Sequence, residues 1–223
     1  MAVFAQDRPV TFVEAVPAAD PAPLGLAGFA LTTFLLSGHN ASWIPDAIWI
    51  GPALFYGGLS QLLAGMWEFR NRNVFGATAF STYGGFWLGL GSVVVLADVS
   101  KNFANALAGS NLTNALAWFI FAFAVFNTYM LLWSARVSTA VFLVFLTLEI
   151  TEILLVIGFF NISHGGTEWW LHAGGWAGIA TAATAWYTSA AGVVNGMAPG
   201  VVLPVGAPPI GRIGSPMPRR AEV

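Results

Sequence analysis

Six long apolar stretches constrain this chain more than any other feature of its sequence. They run over residues 24–44, 47–67, 76–97, 112–133, 137–160 and 169–195. Each has the roughly 20 residues that an α-helix needs to cross a hydrocarbon core of about 30 Å. A transmembrane strand would need about 10 residues of alternating polarity, and the stretches show no such alternation. The sequence therefore predicts an all-α integral membrane protein with six transmembrane helices.

Composition excludes several other classes of protein. Of the 223 residues, 57% are hydrophobic and 8% are charged, whereas a soluble domain has about 25% charged residues. A net charge of −2 leaves no basic surface for a nucleic acid, so we expect membrane lipid as the surroundings and no nucleic-acid partner. The chain has no Cys, and its three His lack the i, i+4 spacing of a helical metal pair. We therefore predict no metal, no cofactor and no enzymatic activity.

The basic residues predict the orientation in the membrane. With six spans, both termini and the loops after the second and fourth spans lie on one side, and seven of the eight Lys and Arg fall there. The positive-inside tendency then places both termini in the cytoplasm of a multi-pass protein of the plasma or inner membrane. The expected organisation is an N-terminal cytoplasmic segment (1–20), a transmembrane domain (21–195) and a Pro- and Gly-rich cytoplasmic tail (196–223), extended but packing briefly over 201–205.

Glu149 and Glu152 are the only Asp, Glu, Lys or Arg residues inside the six stretches. A charge at this depth costs about 2.5–3.5 kcal/mol, so both carboxyls need a reason to be there. Their spacing of three places them on one flank of the fifth helix, close enough to share a proton. They are either a proton-binding or pore-lining pair, or partners in hydrogen bonds between helices. The absence of Lys and Arg within the stretches favours a small monovalent or neutral solute.

Several motifs resemble one known family. Residues 20–29, Asp-Pro-Ala-Pro-Leu-Gly-Leu-Ala-Gly-Phe, closely resemble the Asn-Pro-Ala-Pro-Leu-Gly-Leu motif that opens the first helix in the acetate uptake transporter family. Residues 55–58, Phe-Tyr-Gly-Gly, resemble its second helix, and residues 75–84, Phe-Gly-Ala-Thr-Ala-Phe-Ser-Thr-Tyr-Gly, resemble its third. The resemblance covers about residues 20–205. Asp20 replaces the leading Asn of the motif, and an Asp at the mouth would repel an anion.

The resemblance implies a ring-shaped homohexamer with one conduit in each six-helix subunit. Members of the family move acetate and related short monocarboxylates, sometimes succinate, as channel-like or proton-linked permeases. Their constriction of one Phe, one Tyr and one Leu falls on Phe29, Tyr83 and Leu148. The expected substrate path adds Asp20, Leu24, Gly25, Leu26, Gln61 and Thr82. The start of the first helix carries unpaired amides and a positive dipole end, which suit a small carboxylate.

An apolar constriction resists a bare ion strongly and a neutral acid weakly, so we expect proton-linked passage of the acid. At 100° per residue, Glu152 lies one turn beyond Leu148 and about 40° round the helix, which makes it the first candidate for a proton carrier. Two alternatives stay open. One is a proton-gated channel for ammonia or urea-like solutes. The other is a sensor or scaffold, which would need a folded output module that the tail does not offer.

Overall fold

The computed structural model describes residues 18–107 and 111–211, and within these ranges the chain contains helices but no strands. The helices are α1 Ala22–Asn40, α2 Ile50–Leu54, α3 Gln61–Arg70, α4 Val74–Val99, α5 Lys101–Leu107, α6 Leu112–Ser134, α7 Thr139–Ser163 and α8 Trp169–Met197. A π-helical segment, Phe55–Ser60, joins α2 to α3 without a break. The predicted all-α class is confirmed for the described residues. Most of the expected N-terminal segment and the end of the tail lie outside them.

The described helices follow the six predicted stretches closely. The longer helices, with the continuous run over 50–70 taken as one, begin and end within four residues of the predicted bounds. By length and hydropathy, four helices can cross a membrane, namely α1, α4, α6 and α7. The short helix α5 and the π-helical segment were not predicted, because neither changes the average polarity of its surroundings.

Side chains outside the helices satisfy the first amides of several of them. Asn73 accepts a hydrogen bond from the Gly76 amide at 3.1 Å and starts α4. Ser138 does the same for α7 at 3.2 Å. At α1, Pro21 takes the capping position and Asp20 Oδ1 accepts from the Ala22 amide at 2.9 Å. The protein therefore places a carboxylate of its own at the start of α1.

Helix α8 packs against both α1 and α7, and small residues make this approach possible. A Cβ atom at Gly178 would overlap the Ser37 hydroxyl of α1, and one at Gly174 would lie 2.7 Å from the Leu155 side chain of α7. Gly85 on α4, by contrast, faces open space in the single chain. The Gly174–Gly178 pair is therefore a packing seam, whereas Gly85 contacts nothing there.

The described part of the tail, residues 198–211, crosses the ends of α7 and α8 without regular structure. The Val205 carbonyl accepts a hydrogen bond from the Ala140 amide at 2.8 Å. Tyr187 donates to the Pro204 carbonyl at 2.8 Å, and Thr139 donates to the Ala207 carbonyl at 2.6 Å. These bonds are made by residues 204, 205 and 207, which overlap in part with the range 201–205 where we expected the tail to pack.

Candidate functional site

Two cavities inside the helix bundle meet at three buried side chains. The larger has a volume of about 230 Å³ and the smaller about 100 Å³. Phe29 from α1, Tyr83 from α4 and Leu148 from α7 line both cavities, and no other described residue does so. Their exposed fractions are 4%, 3% and 6%. The structure thus brings the three residues expected at a constriction together, and we call this group the neck.

The neck is closely packed. The rings of Phe29 and Tyr83 meet edge to face, with centroids 5.6 Å apart, which is a favourable aromatic geometry. Gly25 and Gly28 allow α1 to approach its neighbours here, because a Cβ atom on either would lie 2.7 Å from the Phe80 ring or the Tyr56 carbonyl oxygen. The sequence therefore holds the Phe29 ring against Tyr83 by close packing of the helices.

The larger cavity extends from the neck to the opposite end of α1. His39 and Asp46 line its far end, where His39 Nε2 lies 3.4 Å from Asp46 Oδ1. Four buried lining residues carry a polar atom without a hydrogen-bond partner, namely Thr33 Oγ1, Trp49 Nε1, Trp87 Nε1 and Glu152 Oε2. Buried polar atoms are normally paired, so this cavity can supply hydrogen bonds to water or to a small polar solute.

A hydrogen-bond network fixes Asn127, a fully buried residue of α6. Its side-chain Nδ2 donates to the Phe145 carbonyl at 3.1 Å and to Glu149 Oε2 at 2.7 Å. Thr128 donates to Glu149 Oε1 at 2.7 Å. Glu149 is half-buried and lines neither cavity, so its carboxyl serves the contact between α6 and α7.

The same amide orients the hydroxyl group of the neck. The two donations by Asn127 Nδ2 fix the direction of the amide. Its Oδ1 therefore faces Tyr83, which donates to it at 2.9 Å. The Tyr83 oxygen also lies 3.3 Å from Glu152 Oε1. A phenol has a single hydrogen, so Tyr83 donates to Asn127 or to Glu152 at one time. While it donates to Asn127, a hydrogen bond with Glu152 needs a protonated Glu152 that donates to Tyr83. The two glutamates do not bond to each other, because Asn127 and Tyr83 stand between them.

The smaller cavity has apolar walls and two buried polar side chains. Gln61 and Glu68 are each 1% exposed, and the Oε1 atom of each has no hydrogen-bond partner. Glu68 lies at the end of α3, outside the predicted spans. Burial raises its pKa to about 7, Asn73 opposes the shift and the charge of Asp20 adds to it. Sequence reasoning did not select Glu68, although its spacing of seven from Gln61 places both on one helix face.

The remaining residues of the expected substrate path fall in different places. Leu26 lines the smaller cavity, and Gly25 is buried against Phe80. Asp20 and Leu24 lie in a shallow groove between α1 and α8, and Thr82 lies outside both cavities. The Asp20 carboxylate already occupies the start of α1, where the sequence predicted a site for a substrate carboxylate.

Comparison with known proteins identifies the family. The profile of the GPR1/FUN34/yaaH family matches residues 6–208, which is most of the chain. The chain belongs to the GPR1/FUN34/yaaH family. The resemblance found in the motifs is thereby confirmed, since relatives of the chain include a protein named acetate permease A.

Three relatives span fungi and bacteria. Acetate permease A of Emericella nidulans is 40% identical over 204 residues, which are 86% of this chain and 67% of the relative. The Ammonia transport outward protein 2 of Saccharomyces cerevisiae is 40% identical over 185 residues, which are 79% of this chain and 62% of the relative. The succinate-acetate/proton symporter SatP of Escherichia coli K12 is 34% identical over 189 residues, which are 84% of this chain and 95% of the relative. The chain thus spans about two thirds of these fungal relatives.

A solved structure has the same fold. The structure of the bacterial acetate channel SatP superposes with a TM-score of 0.76 at 33% identity. The match covers 85% of this chain and 99% of that chain. The helical architecture described above is therefore that of a known membrane channel.

Proposed function

We propose that this protein is a membrane permease that carries acetate and related short monocarboxylates, with succinate as a further candidate. The observation that carries the proposal is the neck. Phe29, Tyr83 and Leu148 divide the interior of one chain into two cavities that extend towards opposite ends of the helices. The names of the bacterial and fungal relatives support the choice of an acetate-like substrate.

In this proposal the chain crosses a cell membrane six times. Residues 50–67 of the continuous helical run, which fall in the predicted second span, and the 29-residue helix α8 cross together with the four helices of sufficient length and hydropathy. Both termini are cytoplasmic, so the smaller cavity opens on the cytoplasmic side. Six subunits form a ring, each with its own conduit. The apolar side chains that cover the outer faces of α6 and α7, such as Trp118, Phe121 and Ile150, would contact lipid or a neighbouring subunit.

Passage through the neck requires the loss of charge. The neck offers a phenol and apolar side chains but no basic group, so a bare carboxylate would leave water without compensation. The free-energy cost of leaving water is far smaller for an undissociated acid. A carboxylate that crosses together with a proton is equivalent to such an acid. We therefore propose proton-linked transport.

Glu152 is the proposed proton carrier at the neck. It is 3% exposed, lines the larger cavity and has one carboxyl oxygen near the Tyr83 hydroxyl and the other without a partner. Loss of its proton would remove the bond that it donates to Tyr83, so protonation of Glu152 and the orientation of the Tyr83 hydroxyl are linked. Glu149, which the sequence pairs with Glu152, would act indirectly by holding Asn127.

Uptake of labelled solutes tests the proposed function. The protein is produced in a host that lacks its own acetate transporters, and uptake of acetate, methylammonium and urea is compared with that of an empty-vector strain at external pH 6 and 7.5. We expect acetate uptake well above the empty-vector strain and higher at pH 6. Uptake of methylammonium or urea without acetate would instead support the alternative, a channel for ammonia or urea-like solutes, which the name of one yeast relative favours.

A further inference from the structure

A buried carboxyl group lies in the smaller cavity, on the far side of the neck from Glu152. Glu68 is 1% exposed and lines this cavity together with Asn73 and Gly76. A Cβ atom at position 76 would lie 2.5 Å from Glu68 Oε1, so the carboxyl packs closely against the start of α4 at a glycine.

No basic group neutralises this carboxyl. Among the described residues, no Lys or Arg lies within ion-pair distance of Glu68, and Arg70 and Arg72 in the following turn are exposed. Glu68 Oε1 has no hydrogen-bond partner. A buried carboxylate without a cation is costly, and the cost is relieved when the group takes up a proton.

Glu68 has no basic neighbour among the described residues that line the smaller cavity. Tyr83 of α4 is the other titratable residue that lines the smaller cavity, and α1 and α7 contribute apolar side chains to the lining. Asp20, ahead of α1, adds a negative charge that favours the protonated form of Glu68. Every one of these neighbours is neutral or acidic, so none holds Glu68 ionised by charge.

We propose that Glu68 exchanges protons with the transported acid in the smaller cavity, an inference that rests on the proposed function. In this step the O–H bond of the undissociated acid breaks, the proton forms a new O–H bond on the Glu68 carboxylate, and the acid becomes its carboxylate anion. No other reactant is needed. The anion does not return easily through the apolar neck, and the protonated Glu68 does not repel it as it leaves.

The chemistry of the two acids favours this direction. A simple carboxylic acid has a pKa of about 4–5, like an ordinary side-chain carboxyl. Burial raises the pKa of Glu68 to about 7, so the proton passes to the weaker acid. Glu68 then releases the proton to water at the open end of the cavity, and is ready for the next acid at neutral pH.

Labelling of the wild-type protein tests the first half of the inference. A hydrophobic carbodiimide adds to protonated carboxyls in apolar surroundings and not to carboxylates, and peptide mass spectrometry separates Glu68 from Glu149 and Glu152. We expect labelling of Glu68 to fall with rising pH with a midpoint near 7, and exposed Asp98 to remain unlabelled. Absence of the adduct at every pH between 5 and 9, or a yield that does not depend on pH, would overturn the inference.

Transport by the Glu68→Gln variant tests the second half. Equilibrium exchange of labelled acetate is measured in proteoliposomes from pH 6 to 8, protein-free vesicles are subtracted, and each rate is divided by the concentration of undissociated acid. For a group with a pKa near 7 the ionised fraction rises about tenfold over this range, so the wild-type normalised rate should rise to a similar degree. The rate of the Glu68→Gln variant should stay flat, and Asp98→Asn should behave like the wild type.

The outcomes separate the two proposals. No exchange by the wild-type protein above that of protein-free vesicles would contradict the proposed function itself. Exchange by the wild type with an equally steep rise in Glu68→Gln would leave the permease intact and overturn the role of Glu68. If Glu68→Gln does not exchange at all, the Glu68→Asp variant decides, because only a proton-exchange role predicts that it restores both exchange and the rise with pH.

Discussion

The protonation of Glu68 should be visible in the stability of the protein, independently of transport. A folded-state pKa raised from 4.5 to about 7 means that the native protein binds more protons than the unfolded chain between these values. The free energy of unfolding therefore falls as pH rises through this window. At 1.36 kcal/mol per pH unit the full effect is about 3 kcal/mol. Water at the open end of the cavity screens part of it, so we expect about 1–2 kcal/mol.

Thermal unfolding in detergent at pH 5, 6, 7 and 8 measures this effect. In the Glu68→Gln variant the side chain has nearly the same shape and no charge. The unfolding temperature of the variant minus that of the wild type should therefore increase by about 2–8 °C from pH 5 to pH 8. Asp98→Asn removes an exposed carboxylate in the same way and serves as the control, for which the difference should stay constant with pH. A constant difference for Glu68→Gln as well would refute the burial argument.

Four further predictions address the neck and the helix packing. Phe29→Ala should widen the neck and raise the uptake of a four-carbon acid relative to acetate by about tenfold or more, and an unaltered ratio would tell against the neck. Glu152→Gln should weaken both acetate uptake and its dependence on a pH gradient; unchanged values would remove Glu152 from the mechanism. Asn127→Leu should lower the free energy of unfolding by about 2–5 kcal/mol, measured by denaturant titration, because it leaves buried polar groups unpaired. Gly178→Leu should lower it by about 1–3 kcal/mol or prevent folding, because α1 leaves no space there. Gly85→Leu, where the side chain meets open space, should stay within about 0.5 kcal/mol of the wild type and act as its control.

The long helices could be predicted from the sequence because, in a membrane, each one is indicated by a single continuous segment of the chain. A stretch without charge such as 112–133 must satisfy its backbone internally, so its length alone predicts a helix, and α6 occupies Leu112–Ser134. The short helix α5 gives no such signal. The sequence also does not show which small residues are packed. Gly178 and Gly85 each have another glycine four residues away, at 174 and 89, and only the fold distinguishes the first, against α1, from the second, in open space.

The candidate site could be predicted in part. Motif resemblance selected Phe29, Tyr83 and Leu148, and the structure places all three between the two cavities. Glu68 was passed over because a charged residue at the end of a stretch is ordinarily in water, and only the approach of α4 buries it. In the sequence, nothing distinguishes Asn127 from other neutral polar residues of the predicted spans. Its contact with Tyr83 joins residues 44 positions apart, which no local pattern reveals.

The π-helical segment Phe55–Ser60 sets which residues line the route on one side. A π turn accommodates one residue more than an α turn, so the segment takes up an extra residue without turning the helix that follows. If the same sequence continued as a regular α-helix, everything beyond the segment would be turned by about 100°. Gln61 and Glu68 would then face away from the smaller cavity and leave its wall without the carboxyl. A local widening of the helix, rather than a change of composition, is what gives this wall of the passage its acidic group.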